Sequence, residues 1–155
     1  MRTIGLLVLA AVMAGCSSSP EPAASGNCPV CGKPVADGPE VRVVRAGESG
    51  PGRRYRCFMC PIMEGDTGDS WELRAVSGLD GKNVSFRVNG TSVESDPPAA
   101  VVLSLEVAPG DECLEVHRVF ADADEFRRYI EGHPAVKARS PEPLKFGDVL
   151  AGHRR

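Results

Sequence analysis

Residues 71–88 read WELRAVSGLDGKNVSFRV, and this stretch predicts a β-hairpin. Val84, Phe86 and Val88 alternate with polar residues, which is typical of a strand with one buried and one solvated face. Asp80-Gly81 lies between the two apolar segments and is a strong turn signal. We therefore expect antiparallel strands at residues 71–76 and 84–88.

Short strands are also predicted on both sides of this hairpin. An earlier pair is separated by the turn-forming sequence AGESGPG, and four later segments follow the central hairpin. The predicted ranges are residues 41–45, 53–57, 91–94, 101–107, 113–120 and 144–150, the last returning to the sheet.

One helix is clear from the sequence. Asp122 and Glu125 have the spacing of a capping box, apolar residues follow at helical spacing, and Gly132 and Pro134 end the helix. Many short strands with one helix predict an α+β fold built from small antiparallel hairpins.

Composition excludes several classes of protein. The chain has 155 residues, 25% of them charged, and a net charge of -3, which is ordinary for a folded domain. It lacks the basic stretch that binding to nucleic-acid phosphates requires. We therefore expect no nucleic-acid partner.

The N-terminus resembles a bacterial lipoprotein signal. An apolar run at residues 4–14 ends in Met-Ala-Gly-Cys16, which is similar to a lipobox. The predicted organisation is a signal peptide at residues 1–15, a lipid-modified Cys16 with a flexible tether at 16–27, a domain at 28–150 and a tail at 151–155. The domain divides into candidate lobes at 28–70 and 71–150. A plain secretory signal with an incidental Cys is the alternative.

Four cysteines form two Cys-x-x-Cys pairs. Cys28 and Cys31 lie in the tight turn CPVCG, and Cys57 and Cys60 follow after 25 intervening residues. Two such pairs facing each other across a hairpin predict a zinc-ribbon-like lobe with a four-sulfur metal site. Two alternatives stay open: disulfide bonds, which are natural in an oxidising periplasm, and a metal with a purely structural role.

The methionines near the second pair bear on which metal is bound. Outside the predicted signal peptide, Met occurs only at Met59 and Met63, within the segment CFMCPIM. Thiolate and thioether ligands together favour Cu(I), whereas a structural zinc site does not use thioethers. Core packing is the ordinary role of Met and stays open as an interpretation.

A further candidate pair of ligands lies in DECLEVHRVF, residues 111–120. On a strand, Leu114 and Val116 would face the core, while Cys113 and His117 would point outward or into a cleft. A Cys and a His at this spacing can hold a soft or borderline metal. An exposed His beside a half-buried Cys fits the same pattern.

Taken in order, these features resemble the nitrous-oxide-reductase accessory lipoproteins, the NosL-like copper chaperones. The resemblance is carried by the lipoprotein signal and tether, by CPVCG at residues 28–32, by VFAD at 119–122 and by Phe146. It implies a small α+β fold of two related lobes that carries Cu(I) in the periplasm. The family motif continues with Met where this chain has Lys33, and Cys113 falls where the family has another Met.

These patterns together predict a membrane-anchored periplasmic metal-binding protein without enzymatic activity. We expect a Cu(I) chaperone or scavenger that sits on the membrane through its lipid, with the outer membrane favoured by Ser17, and that passes metal to a periplasmic protein. One alternative is a structural Zn(II) ribbon acting as an interaction module. Another is a thiol-disulfide oxidoreductase, although no thioredoxin-like βαβ pattern surrounds Cys28 and Cys31.

Overall fold

The computed structural model describes residues 26–35, 40–65, 68–108 and 112–153. The predicted signal peptide, Cys16 and all but the last two residues of the tether lie outside these ranges. None of the helices within them is long and apolar enough to cross a membrane. In chain order the elements are β1 (Val41–Arg45), β2 (Arg53–Tyr55), α1 (Met59–Glu64), β3 (Ser70–Val76), β4 (Asn83–Asn89), β5 (Ser92–Asp96), β6 (Val101–Ser104), α2 (Cys113–Val116), β7 (His117–Phe120), α3 (Ala123–Gly132), α4 (Pro134–Lys137) and α5 (Phe146–His153).

The predicted hairpin forms the centre of a five-stranded antiparallel sheet with the order β2-β1-β3-β4-β5. In β3 and β4, Trp71 lies opposite Val88 and Leu73 lies opposite Phe86. These four side chains are buried because alternate residues of a strand share one face of the sheet. The α+β class with antiparallel pairing is therefore confirmed.

Helix α5 packs on the buried face of this sheet. The ring of Phe146 stacks on Phe86 with centroids 4.5 Å apart, and it meets Trp71 and Phe58 edge-on at 6.0 and 5.9 Å. Such aromatic pairs add stability beyond the area that they bury. The prediction of a strand at residues 144–150 is wrong, because Leu144 alone makes a bridge and a helix follows from Phe146.

A smaller layer is built from the two-stranded sheet β6-β7 and helix α3. Phe120 of β7 packs against Phe126 and Tyr129 of α3, with ring centroids 5.5 and 5.2 Å apart. The predicted cap of this helix is confirmed, since the Asp122 carboxylate accepts a hydrogen bond from the Glu125 backbone N–H at 2.8 Å. The fully buried Glu125 carboxylate accepts three further backbone N–H groups, from Leu79, Asp80 and Ala121.

Three other predicted strands differ from the structure. The strand expected at residues 53–57 ends at Tyr55, and the one expected at 101–107 ends at Ser104. The strand expected at 113–120 is wrong in its first half, which forms the single-turn helix α2, and only residues 117–120 are extended. An alternation of apolar and polar residues over only four positions does not distinguish a strand from one helical turn. Tertiary packing therefore decides between the two conformations.

Candidate metal centre

The first cysteine pair lies in a closed turn at the start of the described chain. The Cys28 backbone N–H donates to the Lys33 carbonyl at 2.8 Å, and the Gly32 N–H donates to the Cys28 carbonyl at 2.9 Å. Gly32 has φ +70°, a conformation that glycine adopts without steric cost. The turn buries Cys28 and leaves Cys31 exposed, so one thiol of the pair is accessible to a partner.

The second pair lies at the start of helix α1. The Cys60 backbone N–H donates to the Cys57 carbonyl at 3.2 Å, and the two Sγ atoms are 3.5 Å apart. Both side chains are buried. Helix α1 ends at Glu64 and is capped by Gly65, whose φ of +74° is the left-handed conformation common after a helix. This position of the second pair places Cys60 against the closed turn that carries the first pair.

Three sulfurs come together in one group. The ligand atoms of Cys28, Cys31 and Cys60 all lie within 4.8 Å of one another. A tetrahedral thiolate site with zinc–sulfur bonds of about 2.3 Å separates its sulfurs by about 3.8 Å. The group is therefore near the dimensions of a metal site. Cys57, the fourth predicted ligand, is adjacent through its contact with Cys60.

Cys57 also connects this group to the later candidates, Cys113 and His117. Cys57 is close enough to Cys113 for each thiol to shift the pKa of the other, and Cys57 Sγ lies 3.9 Å from His117 Nδ1. His117 is buried beside Phe58, so of the two orientations expected for it, outward or into a cleft, the outward one is wrong. Helix α2 changes the register of the segment: it leaves Cys113 half-buried and turns His117 inward.

The tautomer of His117 follows from its hydrogen bonds. Its Nε2 lies 3.0 Å from the Leu105 carbonyl oxygen, which can only accept, so Nε2 carries the proton. Nδ1 then presents a lone pair toward Cys57. Burial lowers the pKa of His117, which favours the neutral ring that metal ligation requires.

The two methionines occupy different environments. Met59 is buried, and its Sδ accepts a hydrogen bond from the Ser104 hydroxyl at 3.8 Å. Ser104 is paired with His117 in the β6-β7 ladder, so Met59 lies in the same neighbourhood as the imidazole. Met63 is 69% exposed. Ligation by either thioether stays a prediction.

The thiols of the cluster differ in the direction of their pKa shifts. Hydrogen bonding to Cys113 and Cys60, together with burial, raises the pKa of the Cys57 thiol. The same bonds from Cys57 lower the pKa of Cys60 and of Cys113, each to about 6. Desolvation raises the pKa of Cys31 to about 11. Cys60 and Cys113 are therefore the thiols that ionise more readily, and a metal must displace protons from Cys31 and Cys57.

A polar contact centred on Arg56, which is not predicted from the sequence, joins three segments that carry cysteines. Arg56 donates to the Pro34 carbonyl at 2.8 Å and to the Glu112 carboxylate at 3.1 Å, and its charge helps to lower the pKa of Cys113. Glu112 also pairs with Lys33 at 2.9 Å. Arg56 and Glu112 directly precede Cys57 and Cys113, but adjacency in sequence does not reveal that they pair across 56 positions.

All five described cysteines are free thiols in this arrangement. Five sulfurs and one imidazole nitrogen provide soft to borderline ligands, which suit Cu(I) and Zn(II) better than Mg(II) or Ca(II). No protein-family model matches the chain, and neither the curated proteins nor the solved structures contain a match to it. The group of Cys28, Cys31 and Cys60 could hold a metal ion. The chemistry of the ligand atoms indicates which metal suits it.

Proposed function

We propose that the chain is a membrane-anchored periplasmic metal-binding protein, a Cu(I) chaperone or scavenger of the NosL-like type, without catalytic turnover. The observation that carries the proposal is the group formed by Cys28, Cys31 and Cys60, whose ligand atoms lie within 4.8 Å of one another. Three thiolates provide the soft ligand set that Cu(I) prefers.

The unequal exposure of these thiols supports transport over storage in a closed site. Cys28 and Cys60 are buried, whereas Cys31 is exposed. An exposed thiolate can leave the metal and be replaced by a ligand of an incoming protein, while the buried ones retain the ion. The expected recipient is a periplasmic metal-binding protein, and the lipid at Cys16 keeps the donor within tether length of the membrane.

A structural zinc ribbon that serves as a protein-interaction module is the second candidate. The burial of Cys28, Cys57 and Cys60 favours it, because structural zinc sites are closed and bound by four protein ligands. A zinc ion at this position would link the first turn to helix α1. The two candidates differ in the metal and in whether it exchanges.

Elemental analysis distinguishes these candidates. The untagged protein is purified anaerobically from its native membranes, and its metal content is measured by mass spectrometry. We expect copper bound to the protein, because thiolate ligands hold Cu(I) strongly. Zinc at one equivalent that resists exchange would support the structural candidate, and protein without metal but with two disulfides would contradict both.

Anchoring is tested by the Cys16→Ser substitution. The motif Met-Ala-Gly-Cys16 predicts that lipid is attached to this thiol. We expect the variant to leave the membrane fraction and to appear in the soluble or unprocessed pool on an immunoblot. Normal processing together with membrane retention would show that the lipobox prediction is wrong.

A further inference from the structure

We propose that the sulfur cluster contains two adjacent subsites and binds two Cu(I) ions. The outer subsite is the group of Cys28, Cys31 and Cys60. The inner subsite is formed by Cys57 Sγ and His117 Nδ1, with Cys113 Sγ beside Cys57. The proposal rests on the proposed function, because it concerns the capacity of the same cluster for the same ion.

The imidazole is already arranged as a ligand. His117 is 9% exposed, and its Nε2–H donates to the Leu105 carbonyl, which leaves the Nδ1 lone pair directed at the cluster. Ligating histidines usually donate their second ring N–H to a carbonyl or carboxylate, which fixes the tautomer and the ring orientation. In this chain the Leu105 carbonyl holds the ring in the orientation that ligation through Nδ1 requires.

The distance between the inner ligands fits one ion between them. Cys57 Sγ and His117 Nδ1 are 3.9 Å apart. With metal–sulfur and metal–nitrogen bonds of about 2.3 and 2.0 Å, a tetrahedral angle separates the two ligand atoms by about 3.5 Å and a linear arrangement by about 4.3 Å. The observed value lies between these limits, so a bent coordination fits without movement of the backbone.

Cys57 and Cys60 join the two subsites. Their sulfurs are 3.5 Å apart, and Cys60 belongs to the outer group while Cys57 contacts Cys113 and His117. A thiolate has more than one lone pair, so either sulfur can bridge two ions. On binding, each Cu(I) forms bonds to sulfur, and any proton on that sulfur is released to solvent, with no change in oxidation state.

Counting bound ions tests the proposal. The mature lipoprotein in detergent is titrated anaerobically with Cu(I) in the presence of a competing chelator, and native mass spectrometry counts the ions per chain. We expect two ions for the parent protein. Cys31→Ser should remove the outer ion and Cys113→Ser or His117→Gln the inner one, so that each variant retains one. Leu79→Ile, which changes an exposed residue outside the cluster, serves as the control and should retain two.

The outcomes separate this inference from the proposed function. Saturation of the parent at one ion would overturn the second subsite and leave the proposed function intact, whereas a parent that binds no Cu(I) would remove both. Two ions retained by both Cys113→Ser and His117→Gln would also overturn the assignment of the inner subsite. Circular dichroism checks the fold of each variant, and the parent count remains decisive if a variant does not fold.

Discussion

Cys60→Ser is expected to lower Cu(I) affinity more than the loss of any other single thiol, by about 100-fold or more. Cys60 belongs to the three-sulfur group and also lies 3.5 Å from Cys57, so its loss affects both parts of the cluster. Four-ligand zinc sites in small peptides bind with roughly 10–16 kcal/mol, which is about 3 kcal/mol per ligand. Because about 1.4 kcal/mol corresponds to tenfold in affinity, one ligand accounts for about 100-fold.

The measurement is an anaerobic competition titration against a Cu(I) chelator. Leu79→Ile is the control, since it conserves apolar volume and changes an exposed residue outside the cluster. We expect the control to bind within threefold of the parent. A Cys60→Ser protein that is folded and binds Cu(I) like the parent would show that the three-sulfur group is not the metal site.

Metal binding is expected to raise the melting temperature of the protein by about 10 °C. A ligand present at about 1,000 times its dissociation constant stabilises the folded state by about 4 kcal/mol. For a domain of this size each kcal/mol raises the melting temperature by about 2–4 °C. The ion would add a further link between the turn around Cys28 and helix α1, which already share one hydrophobic core and the Arg56–Pro34 hydrogen bond.

Calorimetry of the apo and the metal-loaded protein measures this shift. Removing the metal with a strong chelator should reverse it, and Cys60→Ser should show little shift under the same conditions. An equal rise in the melting temperature of parent and variant would indicate metal binding elsewhere on the chain. No rise in the parent at saturating Cu(I) would contradict binding to the folded cluster.

The central part of the fold is readable from the sequence because several local signals agree. In residues 71–88, alternating apolar residues and the turn at Asp80-Gly81 both specify a hairpin, and the structure pairs Leu73 with Phe86 as this requires. The capped helix α3 is predictable for the same reason, since the Asp122 cap and the apolar spacing coincide.

The short helices cannot be predicted from local sequence signals in this way. Helices α1, α2 and α4 have only four to six residues, and isolated helices of that length are unstable in water. Their conformation depends on tertiary packing, as when Leu114 and Val116 of α2 are both buried although they are two residues apart. Helix α5 is longer, but its apolar segment fits a strand equally well. Its helical conformation is decided by the packing of Phe146 against the aromatic rings of the sheet.

The sequence by itself determined that the chain carries two Cys-x-x-Cys pairs, a closed turn around Gly32 and an antiparallel α+β framework. Only the tertiary structure decided which sulfurs meet: Cys28 and Cys31 group with Cys60, while Cys57 turns toward Cys113 and His117. The physical reason is separation along the chain. Turn geometry acts over a few residues, whereas the Cys57–His117 contact spans 60 positions and depends on how helix α1 and strand β7 pack against the same core.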